Sequence, residues 1–159
     1  MDLRLAETQC RFAPPPWTTD SPAWQSLHRQ LAADHRSRWI DAFVNDLDLS
    51  EFEALYRGSG SQAYRPDLML KIALLETLEG HLSPAAWARH RDEHIPLQWL
   101  SMGIRPSRTA WYNFRDRFGH AVEALLADVV DIGQREGCQS FEITSVRMPI
   151  RSVVSSSMV

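Results

Sequence analysis

The sequence predicts an all-α fold that contains a helix-turn-helix-like unit and has irregular N- and C-terminal tails. Apolar residues recur at helical spacing between residues 20 and 137, and glycine or proline separates segments of helical length. No stretch before Gly137 alternates convincingly with a period of two. We therefore expect an irregular arm over residues 1–19, one helical domain over 20–137 and a remnant tail over 138–159.

The first half of the domain contains three predicted helices. Ser21-Pro22 begins the first, because proline is favoured at the first helical position. Asp34 is the expected cap of the second, and Ser50 with Glu53 matches a capping box for a short third helix that ends near Arg57. The second helix has one apolar stripe, formed by Trp39, Ile40, Phe43, Val44 and Leu47.

The next predicted helix begins at Pro66 and ends at Gly80. Lys71 lies on its flank and is expected to reach solvent. Ser83-Pro84 begins another helix, and Ile95-Pro96 interrupts it and begins a short one. Tryptophans at helical spacing are expected in the core; they are Trp39, Trp87, Trp99 and Trp111.

Two helices are predicted after the glycine turn at Gly103. Ser107 caps a helix that runs to Phe118, and a last helix runs from about His120 to Arg135. The order helix, short helix, glycine turn and helix between residues 83 and 118 is that of a helix-turn-helix.

Composition excludes several classes of protein. No apolar run approaches the roughly 20 residues needed to cross a bilayer, and the first residues lack the pattern of a signal peptide. Cys10 and Cys138 are too far apart and too few for a disulfide framework or a zinc ribbon. We therefore expect a cytoplasmic protein with no membrane partner, no metal site and no bound cofactor.

Charge is distributed unevenly along the chain. The net charge is −3, but residues 84–118 contain six arginines and three acidic residues, so this segment carries +3. A local basic region can bind phosphates on an otherwise acidic chain, because such binding depends on local charge.

The helix predicted from Ser107 has the residue types of a DNA-reading helix. Arginine can pair with guanine and asparagine with adenine, while a helix N-terminus can hold a phosphate. The apolar side would hold Trp111, Phe114 and Phe118. The residues predicted to contact DNA are Arg105, Ser107, Arg108, Thr109, Tyr112, Asn113, Asp116 and Arg117.

Five runs of residues carry a family resemblance. They are Asp41-Ala-Phe-Val-Asn-Asp-Leu-Asp-Leu-Ser50, Tyr56-Arg-Gly-Ser-Gly60, Tyr64-Arg-Pro-Asp-Leu-Met-Leu-Lys71, Trp99-Leu-Ser-Met-Gly103 and Arg105-Pro-Ser-Arg-Thr-Ala-Trp-Tyr-Asn-Phe-Arg115. In order and spacing they resemble the N-terminal domain of DDE-type insertion-sequence transposases. The resemblance covers roughly residues 30 to 137.

The resemblance implies a helical domain that binds double-stranded DNA at the terminal inverted repeats of the element. It also implies a ribonuclease-H-like domain farther along, in which three carboxylates hold Mg²⁺ for phosphoryl chemistry. The matching stretch here, residues 141–149, has no Asp, and none follows Asp131. We therefore expect a copy truncated before its catalytic domain, with no catalytic residue and no Mg²⁺ site of its own.

Two other interpretations remain open on the sequence. A helical protein-interaction module could self-associate, or pair with an intact transposase and inhibit transposition. The run from His90 to His94 matches H-x-x-E-H, a zinc-protease pattern, but Pro96 follows directly and no third ligand stands out.

Overall fold

A computed structural model of the chain describes residues 12–56 and 62–135. These residues form seven helices and no strand, which confirms the all-α prediction. The predicted tail over 138–159, Gly137 and Arg57 lie outside the described residues. The helices are α1 (Pro22–Gln30), α2 (Arg36–Asn45), α3 (Ser50–Ala54), α4 (Pro66–Leu78), α5 (Pro84–Glu93), α6 (Ile95–Ser101) and α7 (Arg108–Arg135).

Helix α4 is the centre of the domain. Every residue from Leu68 to Leu78 is buried, and α2, α5, α6 and α7 all pack against it. A helix that is apolar on nearly every side must be covered on every side, which explains the central position. Within the described residues, no helix is both long enough and apolar enough to cross a bilayer.

Lys71 of α4 does not reach solvent as expected. Its side chain is only 6% exposed, and Nζ lies 2.8 Å from Asp41 Oδ1 and 2.8 Å from Asn45 Oδ1. Asp41 and Asn45 are one turn apart on α2, so both face the same point of α4. The prediction was wrong because the packing of α2 against α4 covers the lysine and supplies its partners.

Two helix starts use different caps from those predicted. His35, and not Asp34, is the N-cap of α2, and its Nδ1 accepts a hydrogen bond from Ser37 N at 3.1 Å. At α3 the N-cap is Leu49, and not Ser50, and Ser50 N donates to Asp48 Oδ1 at 3.0 Å. Helix α3 also ends at Ala54, short of the predicted position.

Helix α7 replaces two predicted helices. It is continuous from Arg108 to Arg135 and about 42 Å long at 1.5 Å per residue. Gly119 lies inside it and does not end the helix, because the buried stripe continues through Val122, Leu126 and Val129. Packing against the rest of the domain therefore outweighs the weak helix propensity of one glycine.

The described part of the N-terminal arm is irregular, as predicted, but it is bonded to the domain. Ala13 N donates to Ala63 O at 2.9 Å, and Trp17 N donates to Met102 O at 3.0 Å. Phe12 and Ala63 form an isolated parallel bridge. The arm is therefore bonded both to the segment before α4 and to the turn after α6.

The tryptophans lie largely where predicted. Trp87, Trp99 and Trp111 are buried in the core, while Trp39 packs against it and is partly buried. Trp87 and Trp111 meet edge to face with ring centroids 5.7 Å apart, which joins α5 to α7.

Candidate nucleic-acid interface

The start of α7 is set by a sharp turn and a side-chain cap. Met102 and Gly103 both have positive φ values, 50° and 88°, which reverse the chain after α6. Ser107 Oγ then accepts a hydrogen bond from Ala110 N at 3.1 Å, as the predicted cap requires. The turn and the cap therefore fix the point at which α7 begins.

Arg91 holds the segment between this turn and α7. It is buried, and its Nε donates to the carbonyl oxygen of Ile104 at 2.6 Å. Burial lowers the pKa of Arg91, and the nearby charge of Arg105 lowers it further. Arg91 was counted in the basic region of the sequence, but its burial removes it from the charge available to a ligand.

Three aromatic side chains anchor the first three turns of α7. Trp111, Phe114 and Phe118 are buried, as the helical spacing predicted. Thr109, Asn113 and Asp116 lie on the opposite side and are exposed, and Tyr112 is partly exposed. The predicted division between an apolar and a polar face is confirmed.

Two arginines flank Tyr112 at one margin of the polar face. The guanidinium carbons of Arg108 and Arg115 lie 5.6 Å and 5.0 Å from the centre of the Tyr112 ring. Hydrogen bonding from Arg108 lowers the pKa of Tyr112, and Ser83 at the start of α5 acts in the same direction. These contacts hold two positive charges beside one aromatic ring, because a cation over a ring face is attracted to it.

Arg117 occupies the other margin. Its guanidinium carbon lies 5.1 Å from the centre of the Tyr56 ring. Burial raises the pKa of Tyr56 to about 12, although the charge of Arg117 opposes this shift. Asn113 and Arg117 also line an open groove of about 330 Å³ together with Tyr64.

Arg105 precedes α7 and is exposed. Its carbonyl oxygen accepts a hydrogen bond from the Tyr64 hydroxyl at 3.2 Å, which fixes the backbone and leaves the guanidinium outside. Between residues 105 and 117 the exposed charged side chains are four arginines and Asp116, so this surface carries +3. We call it the basic face; its members are Arg105, Ser107, Arg108, Thr109, Tyr112, Asn113, Arg115, Asp116 and Arg117.

The eight residues predicted as contacts are exposed, apart from the partly exposed Tyr112, and Arg115 is exposed among them. Arg115 was counted in the basic region but was not predicted as a contact. The spacing could have identified it, because Arg115 lies three residues after Tyr112 and shares its side of a helix. Arg115 lies 3.7 Å from Asp116, an exposed pair that leaves both side chains accessible.

The H-x-x-E-H run does not assemble a protease site. His90 Nδ1 lies 2.7 Å from Oε2 of Glu76 on α4, and Glu93 is exposed. Among the residues that the structure describes, the one group of three potential metal ligands is Glu76, His81 and His90. This part of the chain therefore has no cluster of three carboxylates of the kind that DDE chemistry needs.

Comparison with known proteins identifies a family. The sequence model of the family described as Transposase domain (DUF772) matches residues 25–117. The match extends from α1 into the third turn of α7 and includes every residue of the basic face. Neither the curated proteins nor the solved structures contain a significant match.

Proposed function

The chain belongs to the Transposase domain (DUF772) family, and we propose that within this family it is a DNA-binding domain that recognises the terminal inverted repeats of an insertion sequence. The observation that carries the proposal is the basic face, a polar and positively charged surface on a helix whose opposite side is anchored in the core.

The basic face has the side-chain chemistry of a major-groove surface. The major groove is about 12 Å wide and admits one α-helix. Helices α5 and α6 precede α7 in the order of a helix-turn-helix, in which the last helix enters the groove by its N-terminal residues. We assign the N-terminal third of α7 to that role.

The residues divide into two kinds of contact. Asn113 and Asp116 are exposed at the middle of the helix surface, where they would meet base edges: asparagine pairs with adenine and aspartate accepts from cytosine. Arg105, Arg108 and Arg117 are assigned to phosphates or guanine.

A double variant tests the assignment. Arg108→Ala with Asn113→Ala removes one charged and one amide contact. We expect binding to the terminal-repeat duplex to weaken about 10-fold or more, because each base contact contributes roughly 1–3 kcal/mol. Gln134→Ala with Arg135→Ala is the matched control, because it also removes one arginine and one side-chain amide, from exposed positions at the other end of α7. Fluorescence anisotropy with a labelled duplex measures both.

Equal affinity of the Arg108/Asn113 variant and the parent would overturn the assignment. The salt dependence of binding separates DNA binding from the alternative of a protein-interaction module. Affinity for a duplex falls steeply as salt rises because bound counterions are released, whereas an apolar protein contact lacks this dependence.

We also propose that this chain binds DNA without cutting it. The described residues contain no trio of carboxylates for two metal ions. Incubation of the purified chain with repeat-end DNA and Mg²⁺ should leave the DNA intact on a denaturing gel, and any strand cleavage or joining would contradict this part of the proposal.

A further inference from the structure

Three metal-ligand side chains converge where α4 meets α5. Glu76 is in the last turns of α4, His81 is in the connection and His90 is in α5. A ligand atom of each lies within 4.8 Å of the others. The cluster is built from three separate segments of chain, so tertiary packing produces it and a single local motif does not.

Glu76 is the unusual member of the cluster. Its side chain is 0% exposed, and Oε2 lies 2.7 Å from His90 Nδ1 and 3.5 Å from His81 Nδ1. Within the described residues, Glu76 Oε1 and His81 Nδ1 are buried and have no hydrogen-bond partner. A buried carboxylate oxygen without a partner is costly, and His81 Nδ1 has only the long 3.5 Å contact with Glu76 Oε2. A cation bound by the Glu76 carboxylate and both imidazoles would supply the missing partner.

We propose that Glu76, His81 and His90 bind a divalent transition-metal ion, with Zn²⁺ as the preferred occupant. Two imidazoles and one carboxylate form a ligand set that suits zinc. Mg²⁺ is a poor match, because it prefers oxygen ligands in a near-octahedral shell and keeps several waters.

Two of the three distances between ligand atoms need only a small adjustment. Zinc bonds of about 2.0–2.2 Å in a tetrahedral shell place neighbouring ligand atoms about 3.4 Å apart. The His81 and Glu76 atoms are already 3.5 Å apart, and the His90 and Glu76 atoms at 2.7 Å would separate by about 0.7 Å. Three protein ligands leave the fourth position of a tetrahedral zinc ion for a water molecule.

The proposed ion has a structural role. His81 N donates to Glu76 O at 2.8 Å, and Trp87 Nε1 donates to His81 O at 2.7 Å, so the backbone of the connection is already ordered. Zinc would lock this connection to α4 and α5. The cluster uses His90 of the H-x-x-E-H run but not Glu93, and His94 stacks on His90 with ring centroids 4.6 Å apart.

The test uses the full chain with Cys10→Ser and Cys138→Ser, which removes thiols as competing ligands. We expect one zinc ion per chain by titration calorimetry. At zinc a hundredfold above Kd, the Tm should rise by roughly 5–10 °C, and EDTA should reverse the rise. MgCl₂ at the same concentration should leave Tm unchanged, and Co²⁺ should give the visible absorption of a tetrahedral site.

His81→Ala is the diagnostic variant, because it removes one ligand but leaves the hydrogen bond between Glu76 and His90. We expect it to lose the zinc-dependent rise in Tm, while the control His120→Ala, an exposed histidine on α7, keeps it. No zinc-dependent rise in the parent, or an equal rise in His81→Ala, would overturn the proposal.

Imidazole NMR spectra of the parent give a second readout that does not depend on the folding of any variant. Zinc should shift the Nδ1 signals of His81 and His90 and leave those of His120 in place; an unchanged His81 signal contradicts the site. None of these readouts involves DNA, so the metal site and the DNA-binding proposal fail or succeed separately.

Discussion

Arg91 donates a hydrogen bond from Nε to the carbonyl oxygen of Ile104 at 2.6 Å, and both residues are buried. The bond joins α5 to the segment that leads into α7. Arg91 Nη1 also contacts Asp92 Oδ1 at 3.1 Å, on the exposed side of the helix. An arginine from the basic stretch of the sequence thus positions the basic face and does not belong to it.

Replacing Arg91 should destabilise the domain. Arg91→Ala leaves the Ile104 carbonyl oxygen buried and without a donor, and it removes a buried side chain, so we expect a loss of about 2–4 kcal/mol in the free energy of unfolding. Urea denaturation measures it. The adjacent Arg89→Ala is the control, because Arg89 is exposed and its loss should cost less than about 0.5 kcal/mol. Equal effects at the two positions would refute the structural role of Arg91.

Two glycines near the basic face should respond in opposite ways to alanine. Gly103 has φ of +88°, and an added Cβ would lie 3.0 Å from Trp17 Cδ2, so Gly103→Ala should cost about 2 kcal/mol. Gly119 lies inside α7, where an added Cβ would meet Arg115 Cγ at an ordinary 3.6 Å. Gly119→Ala should therefore stabilise by about 0.5–1 kcal/mol. Thermal unfolding of both variants checks the signs, and destabilisation by Gly119→Ala would contradict the continuous helix.

The ion pair between Lys71 and Asp41 should contribute measurably to stability. Lys71→Met keeps the side-chain volume similar but leaves Asp41 and Asn45 without the ammonium group. We expect the free energy of unfolding to fall by about 1–2 kcal/mol. This is less than for a fully buried pair, because Asp41 is 33% exposed and water can solvate it. A double-mutant cycle with Asp41→Asn should give a coupling energy of at least about 0.5 kcal/mol. Strict additivity would show that the pair is energetically unimportant.

Phosphate contacts should be visible in the salt dependence of DNA binding. If Arg105 and Arg117 contact phosphates, each alanine variant should reduce the slope of log K for DNA binding against log salt concentration by about 1. Each variant should also weaken binding to every DNA sequence by a similar factor. Anisotropy titrations at several NaCl concentrations measure the slope. Arg29→Ala on α1 is the control, since it removes an exposed arginine outside the basic face. An unchanged slope in both test variants would exclude phosphate contacts there.

Asp116 should restrict the sequences that the basic face accepts. Its side chain is 71% exposed on a surface with four arginines. Its negative charge repels phosphate, and its oxygens accept hydrogen bonds only from a donor such as cytosine N4. Asp116→Asn should strengthen binding to a scrambled duplex and reduce the ratio of specific to non-specific affinity. A variant that binds both duplexes as the parent does would show that Asp116 has no part in recognition.

Sequence periodicity predicted most of the fold, because the buried stripes are local properties of each helix. The stripe of Trp111, Phe114 and Phe118 was correct, and so was the exposure of the residues opposite. The predicted break between a helix ending at Phe118 and another beginning near His120 was wrong. Glycine has the same weak helix propensity at a helix boundary as inside a well-packed helix. Local sequence alone does not distinguish those two cases.

The chain by itself determined which residues form helices, which sides of them are apolar, and which polar side chains share the exposed side of α7, since these depend on spacing of 3.6 residues per turn. Tertiary structure alone decided the partners of the buried polar groups. Lys71 meets Asp41, Arg91 meets Ile104, and Glu76 meets His90 only after separate segments of the chain pack together. Burial removes water from these groups, so each must find its partner within the protein, and that partner depends on the packing of whole helices.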